Sequence, residues 1–118
     1  MTWHVDFHDE FLPEFSVLAE TVQVELLAHV KLLQRFGPAL GRPQVDTLKG
    51  SAHANMKELR FKAEDGVWRV AFAFDPKRRA LLLVAGDKSG VSEKRFYKTL
   101  IRKADERFNQ HLHSLRKR

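Results

Sequence analysis

The chain has 118 residues, a length that suits one domain spanning 1–118 whose core needs no disulfide or metal. Cysteine is absent, which excludes disulfide scaffolds, thiol nucleophiles and cysteine-ligated zinc. Residues 1–30 hold six acids (Asp6, Asp9, Glu10, Glu14, Glu20, Glu25) and no Lys or Arg, so all 21 basic residues behind the net charge of +6 fall in 31–118. Such segregation predicts one acidic and one strongly basic face, and the basic one suits a polyphosphate partner such as nucleic acid or the ribosome. A basic surface that serves only solubility is the competing reading. Nothing in the first thirty residues resembles a secretory signal, and the longest apolar run, Ala80–Gly86, falls far short of the ~20 residues of a membrane span. A soluble, cytoplasmic protein without a membrane partner is expected.

Trp3, Val5 and Phe7 alternate with His4, Asp6 and His8, the period of a half-buried strand. Asp9 is placed to cap a short helix containing Phe11, Leu12 and Phe15, and Ser16 to cap a longer one. In that second helix Leu18, Val22, Leu26, Val30 and Leu33 recur at three- and four-residue steps until Gly37-Pro38 stops it. Residues 37–54, with three Gly and two Pro, read as a long connection. Three strands are predicted next, over about 56–62, 67–74 and 79–86, with a turn at Asp75-Pro76-Lys77-Arg78. Ser92 then caps a last helix whose apolar stripe runs through Phe96, Leu100, Ile101, Ala104, Phe108, Leu112 and Leu115. The order β-α-α-β-β-β-α gives a small α+β domain, with a mainly antiparallel sheet packed by helices on one face. The other face should carry Glu58, Arg60 and Arg69 beside Ala71 and Ala73, forming a shallow cleft.

That face has residues suited to cutting RNA without a metal. The 2′-hydroxyl must lose a proton, the pentavalent phosphate must be stabilised, and the leaving 5′-oxygen must gain a proton. Arginine offers a rigid, permanently charged fork for phosphate, while lysine or tyrosine can move protons when neighbouring positive charge lowers the pKa. Arg60 and Arg69 share a sheet face, Lys88 follows the last strand and Tyr97 lies early in the last helix, so all four can converge at one end of the sheet. Each has a plainer explanation: Arg69 can pair with Glu58 across strands, and Lys88, Arg95 and Tyr97 can face water. The histidines are weak signals, since His111 and His113 diverge on a helix and His4 and His8 lie at opposite ends of a strand. His53 reads as surface. No metal site or cofactor is expected, and Gly86–Gly90 lacks the order of a phosphate-binding P-loop.

The ordered segments Leu48-Lys49-Gly50-Ser51, Met56-Lys57-Glu58-Leu59-Arg60 and Trp68-Arg69-Val70-Ala71-Phe72-Ala73-Phe74-Asp75 resemble the phage-derived HigB branch of the RelE/ParE toxin superfamily. The resemblance continues through Leu81–Gly90, Phe96-Tyr97, Ala104-Asp105 and His111-Leu112. It implies a RelE-like fold and metal-independent cleavage of mRNA in the A site of the small ribosomal subunit, leaving a cyclic phosphate and a 5′-hydroxyl. By the same resemblance Arg69 stabilises the phosphate, Lys88 protonates the leaving oxygen and Tyr97 stacks on or activates the nucleotide. Lys57 and Arg60, with Lys94 and Arg95, are the expected RNA-binding residues. The chain departs from the RelE pattern in having lysine, not arginine, at position 88. A second departure is Glu58 at a basic position, as a base or a salt-bridge partner.

The resemblance also implies a cognate antitoxin, usually a helix-turn-helix protein. Two other functions share these features: a ParE-like gyrase inhibitor without catalytic activity, and a nucleic-acid-binding module that does not cut. Fold alone does not separate them. The set Arg69, Lys88 and Tyr97 favours the nuclease, because a gyrase binder has no need of a phosphate-handling cluster.

Overall fold

The structure, a computed structural model, describes residues 2–117. Its elements are β1 (His4–Phe7), α1 (Phe11–Ser16), α2 (Glu20–Phe36), a 3-10 turn (Gly37–Ala39), β2 (Val45–Thr47), β3 (Met56–Ala63), β4 (Gly66–Phe74), β5 (Arg79–Asp87) and α3 (Glu93–Arg116). The strands form one sheet in the order β1-β5-β4-β3-β2, antiparallel throughout except that β1 runs parallel to β5. The architecture is the expected α+β one, with β2 added. This three-residue edge strand lies inside the segment read as a connection, and its buried Val45 pairs with Leu59.

Helices cover both sheet faces, which corrects the expectation of a single covered face. Phe11 of α1 and Val22, Leu26, Val30 and Leu33 of α2 pack on Leu59, Phe61, Val70, Phe72 and Leu82. On the opposite face Leu100, Ala104 and Phe108 of α3 pack on Met56, Ala71, Ala73, Leu81 and Leu83. Ala71 and Ala73, expected to floor an open cleft, are fully buried. Their small side chains let α3 lie close to the sheet, and dispersion contacts fill the space a larger residue would take. An irregularity in the β4–β5 pairing, where Ala71 faces Val84 and Phe72 faces Leu82, puts Leu83 and Val84 both on the α3 side.

Helix starts differ from expectation for local reasons. Ser16 ends α1, where its hydroxyl donates to the Pro13 carbonyl, and α2 begins only at Glu20 after Ala19. The break between the helices is closed by the Gln23 amide, which donates to the carbonyls of Ser16 and Leu18. Asp9 makes no cap either, since Glu10 occupies the N-cap without a side-chain bond. Ser92 does cap α3, accepting from the Arg95 amide at 3.3 Å. Gly37, at φ +54°, is required at the end of α2, because a Cβ there would meet the Trp3 indole at 2.4 Å.

Two charged clusters pin α3 to the rest of the molecule. Arg107 is buried and donates to both carboxylate oxygens of Glu14 (2.8 and 2.6 Å) and to the Leu83 carbonyl (2.7 Å), joining α1, β5 and α3. At the β4–β5 turn, Asp75 accepts from the amides of Lys77 and Arg79, from the Arg79 guanidinium and from His111 Nε2 at 2.7 Å.

Candidate active site

The β3–β4 register sets Arg60 directly opposite Arg69. Facing like charges on a sheet repel, so the pair needs a counter-charge. Glu58, two residues before Arg60 and on the same face, supplies it. Its Oε2 accepts from Arg60 Nη2 at 3.2 Å, and its Oε1 lies 3.8 Å from Arg69 Nε. Tyr97 enters from the second turn of α3 and bridges them: its hydroxyl accepts from Arg69 Nε at 2.6 Å and donates to Glu58 Oε1 at 2.8 Å. Arg69 Nη1 donates to the Val67 carbonyl, and the guanidinium stands 5.6 Å from the ring centres of both Phe96 and Tyr97. Opposite Arg69 on β5 is Gly86, where a Cβ would meet the Phe96 ring at 2.9 Å, so this position must stay bare for the aromatic to lie beside Arg69.

Glu58 and Arg69 are 3% and 7% exposed, whereas the Arg60 side chain is 42% exposed, so the cluster is rooted in the interior and reaches water through Arg60. Two arginines share one carboxylate within the hydrogen-bonded set, and the carboxylates of Asp46, Asp87 and Glu93 border it. Burial pushes the Tyr97 phenol up, as does its bond to Glu58, against the pull of Arg69. The hydrogen bond from Arg60 to Glu58 raises the guanidinium of Arg60 further. The carboxyl of Asp87 is held down by its bonds from Ser89 and by the charge of Arg69. A concavity of about 240 Å³ opens beside the cluster, lined by Thr47, Lys49, Glu58, Arg60, Glu93 and Tyr97.

Of the expected residues, the structure brings together Arg60, Arg69 and Tyr97, with Glu58 at their centre. Lys57 is not among them. It pairs with Phe72 and therefore lies on the α2 side of the sheet. Lys88 sits half-buried in the turn after β5, and among the described residues no hydrogen bond or ion pair joins it to the cluster. Arg95 is on the far flank of α3, beside Val84 and Gly86, and Lys94 is exposed on the first turn. Thr47 and Lys49 border the concavity and were missed because β2 was not anticipated. Of the histidines, His53 bonds Asn109 and His111 bonds Asp75. Among the described residues no three His, Asp or Glu side chains are grouped to hold a metal, and no described helix is long and apolar enough to cross a membrane.

The fold defines the class. An arginine-to-alanine double mutant of the E. coli toxin RelE, solved in the free state, superposes with a TM-score of 0.58 over 87% of this chain and 97% of that one, at 16% identity. At that identity the likeness is one of fold, and the chain has the RelE-like fold. The family follows from sequence. Residues 13–109 match the family described as Phage derived protein Gp49-like (DUF891), and the chain belongs to it. Two Mycobacterium tuberculosis proteins carrying HigB toxin names are relatives. The one named HigB2 is 47% identical over 88 residues, which are 74% of this chain but 43% of that protein. The one named HigB3 is 44% identical over 93 residues, 79% of each chain. The chain is thus a member of the Gp49-like family, with proteins named as HigB toxins among its relatives.

Proposed function

We propose that this chain is the toxin of a type II toxin–antitoxin system and acts in the cytoplasm as a ribosome-dependent mRNA endoribonuclease. The observation that carries the reading is the cluster Arg69–Tyr97–Glu58–Arg60, in which two arginines and a tyrosine converge on one carboxylate beside a concavity. In the proposed reaction the 2′-oxygen attacks the adjacent phosphorus, the bond to the 5′-oxygen breaks, and a 2′,3′-cyclic phosphate and a 5′-hydroxyl result. Nε and one hydrogen of Nη1 of Arg69 are occupied within the protein, which leaves Nη2 and the second Nη1 hydrogen for the phosphate oxygens as negative charge builds on them. Tyr97 keeps its proton, given the upward push on the phenol, and so serves as donor and stacking surface. Glu58, the acceptor within the cluster, is the group able to take up the 2′-proton. Lys88 is the proposed source of the proton for the leaving oxygen, reaching the site when RNA is bound. Arg60, Lys94 and Arg95 hold the RNA backbone, a role Lys57 could share only from the opposite face.

A ParE-like gyrase inhibitor is the second reading. It draws on the burial of Arg69 and the closure of its bonds on Tyr97 and Glu58, which a purely structural network would also show. Expression from a tightly controlled promoter, with protein and DNA synthesis followed by pulse labelling, separates the two. The nuclease reading expects translation to stop first, with mRNA cut at codon positions. Early loss of DNA synthesis over intact mRNA establishes the gyrase reading.

A further inference from the structure

A second concavity, of about 530 Å³, lies at the β1 edge of the sheet and shares no residue with the Arg69 cluster. Asp6, His8, Asp9 and Glu10 line it from β1 and the β1–α1 link, and Gln110 and Ser114 line it from α3. Its acidic charge is not neutralised from within. His4 Nε2 bonds Asp6 at 2.9 Å, but among the described residues Asp9 and Glu10 have no ion pair. The basic groups that flank the site are engaged elsewhere. Arg107 holds Glu14 and the Leu83 carbonyl, and His111 Nε2 bonds Asp75.

Acidic side chains on a surface are ordinary, and His8 is what sets this place apart. It is only 9% exposed, and its backbone is fixed on both sides: the amide donates to the Leu82 carbonyl and the carbonyl accepts from Phe11 and Leu12. Nδ1 accepts from the Glu10 amide at 3.0 Å, which places the proton of the neutral ring on Nε2. Burial lowers the pKa of the ring and keeps it neutral at pH 7. Among the described residues Nε2–H has no partner, and it is not sealed in the interior. A buried donor, held rigid and left open toward a concavity, calls for an acceptor oxygen from outside the chain.

The chemistry selects the occupant. Nucleic acid is repelled by the carboxylates. A divalent metal has no place, since the open ring nitrogen carries a proton and, among the described residues, no three His, Asp or Glu side chains are grouped to hold one. A peptide with Lys or Arg side chains meets both demands, offering cations to Asp9 and Glu10 and a main-chain carbonyl to His8.

We propose that this concavity is a docking site for an extended, Lys- or Arg-bearing segment of a protein partner. A main-chain carbonyl of that segment accepts from His8 Nε2, while its cations meet Asp9 and Glu10. The proposal stands apart from the nuclease reading, because the two sites have no residue in common.

The test titrates the purified chain with a short, end-capped peptide of alternating arginine and alanine, following the histidine rings by NMR. The His8 ring signals should shift in a saturable way, and binding should weaken as salt is added. The peptide should also protect His8 Nε2–H from exchange with water, whereas spermine, a polycation with no carbonyl, should not. Asp9→Lys with Glu10→Lys, both exposed, should bind the peptide at least ~10-fold more weakly, with the ring signals of Tyr97 in the distant cluster unchanged. Unshifted His8 signals, spermine protecting Nε2–H as well as the peptide does, or a double variant binding within about twofold of wild type overturns the proposal. The wild-type readings decide it even where the double variant fails to fold.

Discussion

Among the described residues two carboxylates are buried, Glu58 and Asp75, each bound by arginine and one further side chain from α3, and their surroundings differ. Asp75, its side chain wholly buried, takes donors from its own turn: the amides of Lys77 and Arg79, then the Arg79 guanidinium, with His111 closing the shell. The one arginine is matched by the one carboxylate, and Arg78, at φ +64°, completes the turn with its amide on the Asp75 carbonyl. Glu58 has no donors from its own turn. Its partners come from β3, β4 and α3, the arginines outnumber it, and the cluster opens onto a concavity. A carboxylate satisfied by its own turn fixes structure. One that gathers two arginines from neighbouring strands and a tyrosine from a helix beside a concavity has the arrangement the proposed phosphate-binding role calls for.

Substitution should pull the two clusters apart. Arg69→Ala should lower mRNA cleavage by ~10²–10³, the loss expected when a group stabilising transition-state charge is removed. Denaturant unfolding of the same variant should still show a cooperative folded state; unfolding at zero denaturant would mean that Arg69 is a scaffold residue like Arg79. Asp75→Ala should do the reverse. Removing one partner from a buried charged set costs ~3–5 kcal/mol, measurable by urea unfolding, with cleavage per folded molecule close to wild type. Tyr97→Phe keeps the ring but removes the bridge between two charged groups, so cleavage should drop by ~10-fold or more while stability falls by about 1.5–3 kcal/mol, less than for Asp75→Ala. A Tyr97→Phe variant as active as wild type would reduce Tyr97 to packing.

Acid titration gives the smallest effect. Burial pushes the Asp75 carboxyl up, but the bonds from His111 and Arg79 prevail and hold it below its ordinary value of 3.8. A carboxyl depressed in the folded state contributes stability above its unfolded pKa of about 3.9, and that contribution drains away as pH falls toward the folded value. His8 is lowered mainly by burial, so its unprotonated form is favoured by folding. Its contribution is full above the unfolded value near 6.5 and declines below it. Unfolding midpoints should therefore ease downward from about pH 6.5 and fall further below about pH 4. Asp75→Asn should flatten the lower step and leave the upper one.

The sequence made the fold legible where periodicity was long and unopposed. The β3, β4 and β5 runs, the α2 stripe and the Ser92 cap all stand close to where pattern put them, and the α3 stripe through Leu100, Ala104 and Phe108 is buried. Pattern failed where tertiary contacts decide. Val45–Thr47 is too short to show alternation, and Ser16 looks like a cap but bonds Pro13. Ala71 and Ala73 carry no mark telling an open floor from a helix seat. In the site, Arg60, Arg69 and Tyr97 were legible because strand alternation puts the arginines on one face. The pairing of Glu58 with Arg69 was legible too, as the plainer reading of that arginine; the Tyr97 hydroxyl between them and Arg60 set squarely opposite Arg69 were not, because the register needs the β3–β4 turn. That turn is the pair Glu64-Asp65, both at positive φ (51° and 59°), a conformation that neither residue announces. Lys57, expected among the RNA-binding residues, falls outside the cluster by parity: one residue from Glu58, it sits on the opposite face.

The central claim is that Arg69 belongs to a phosphate-cleaving site. Purified chain, wild type or Arg69→Ala, should be added to ribosomes programmed with a defined mRNA and the product ends analysed. The account predicts cuts within the A-site codon bearing 2′,3′-cyclic phosphate and 5′-hydroxyl ends for wild type, and at most ~1% of that rate for the variant. Intact mRNA with wild type, or equal cleavage by both proteins, contradicts it.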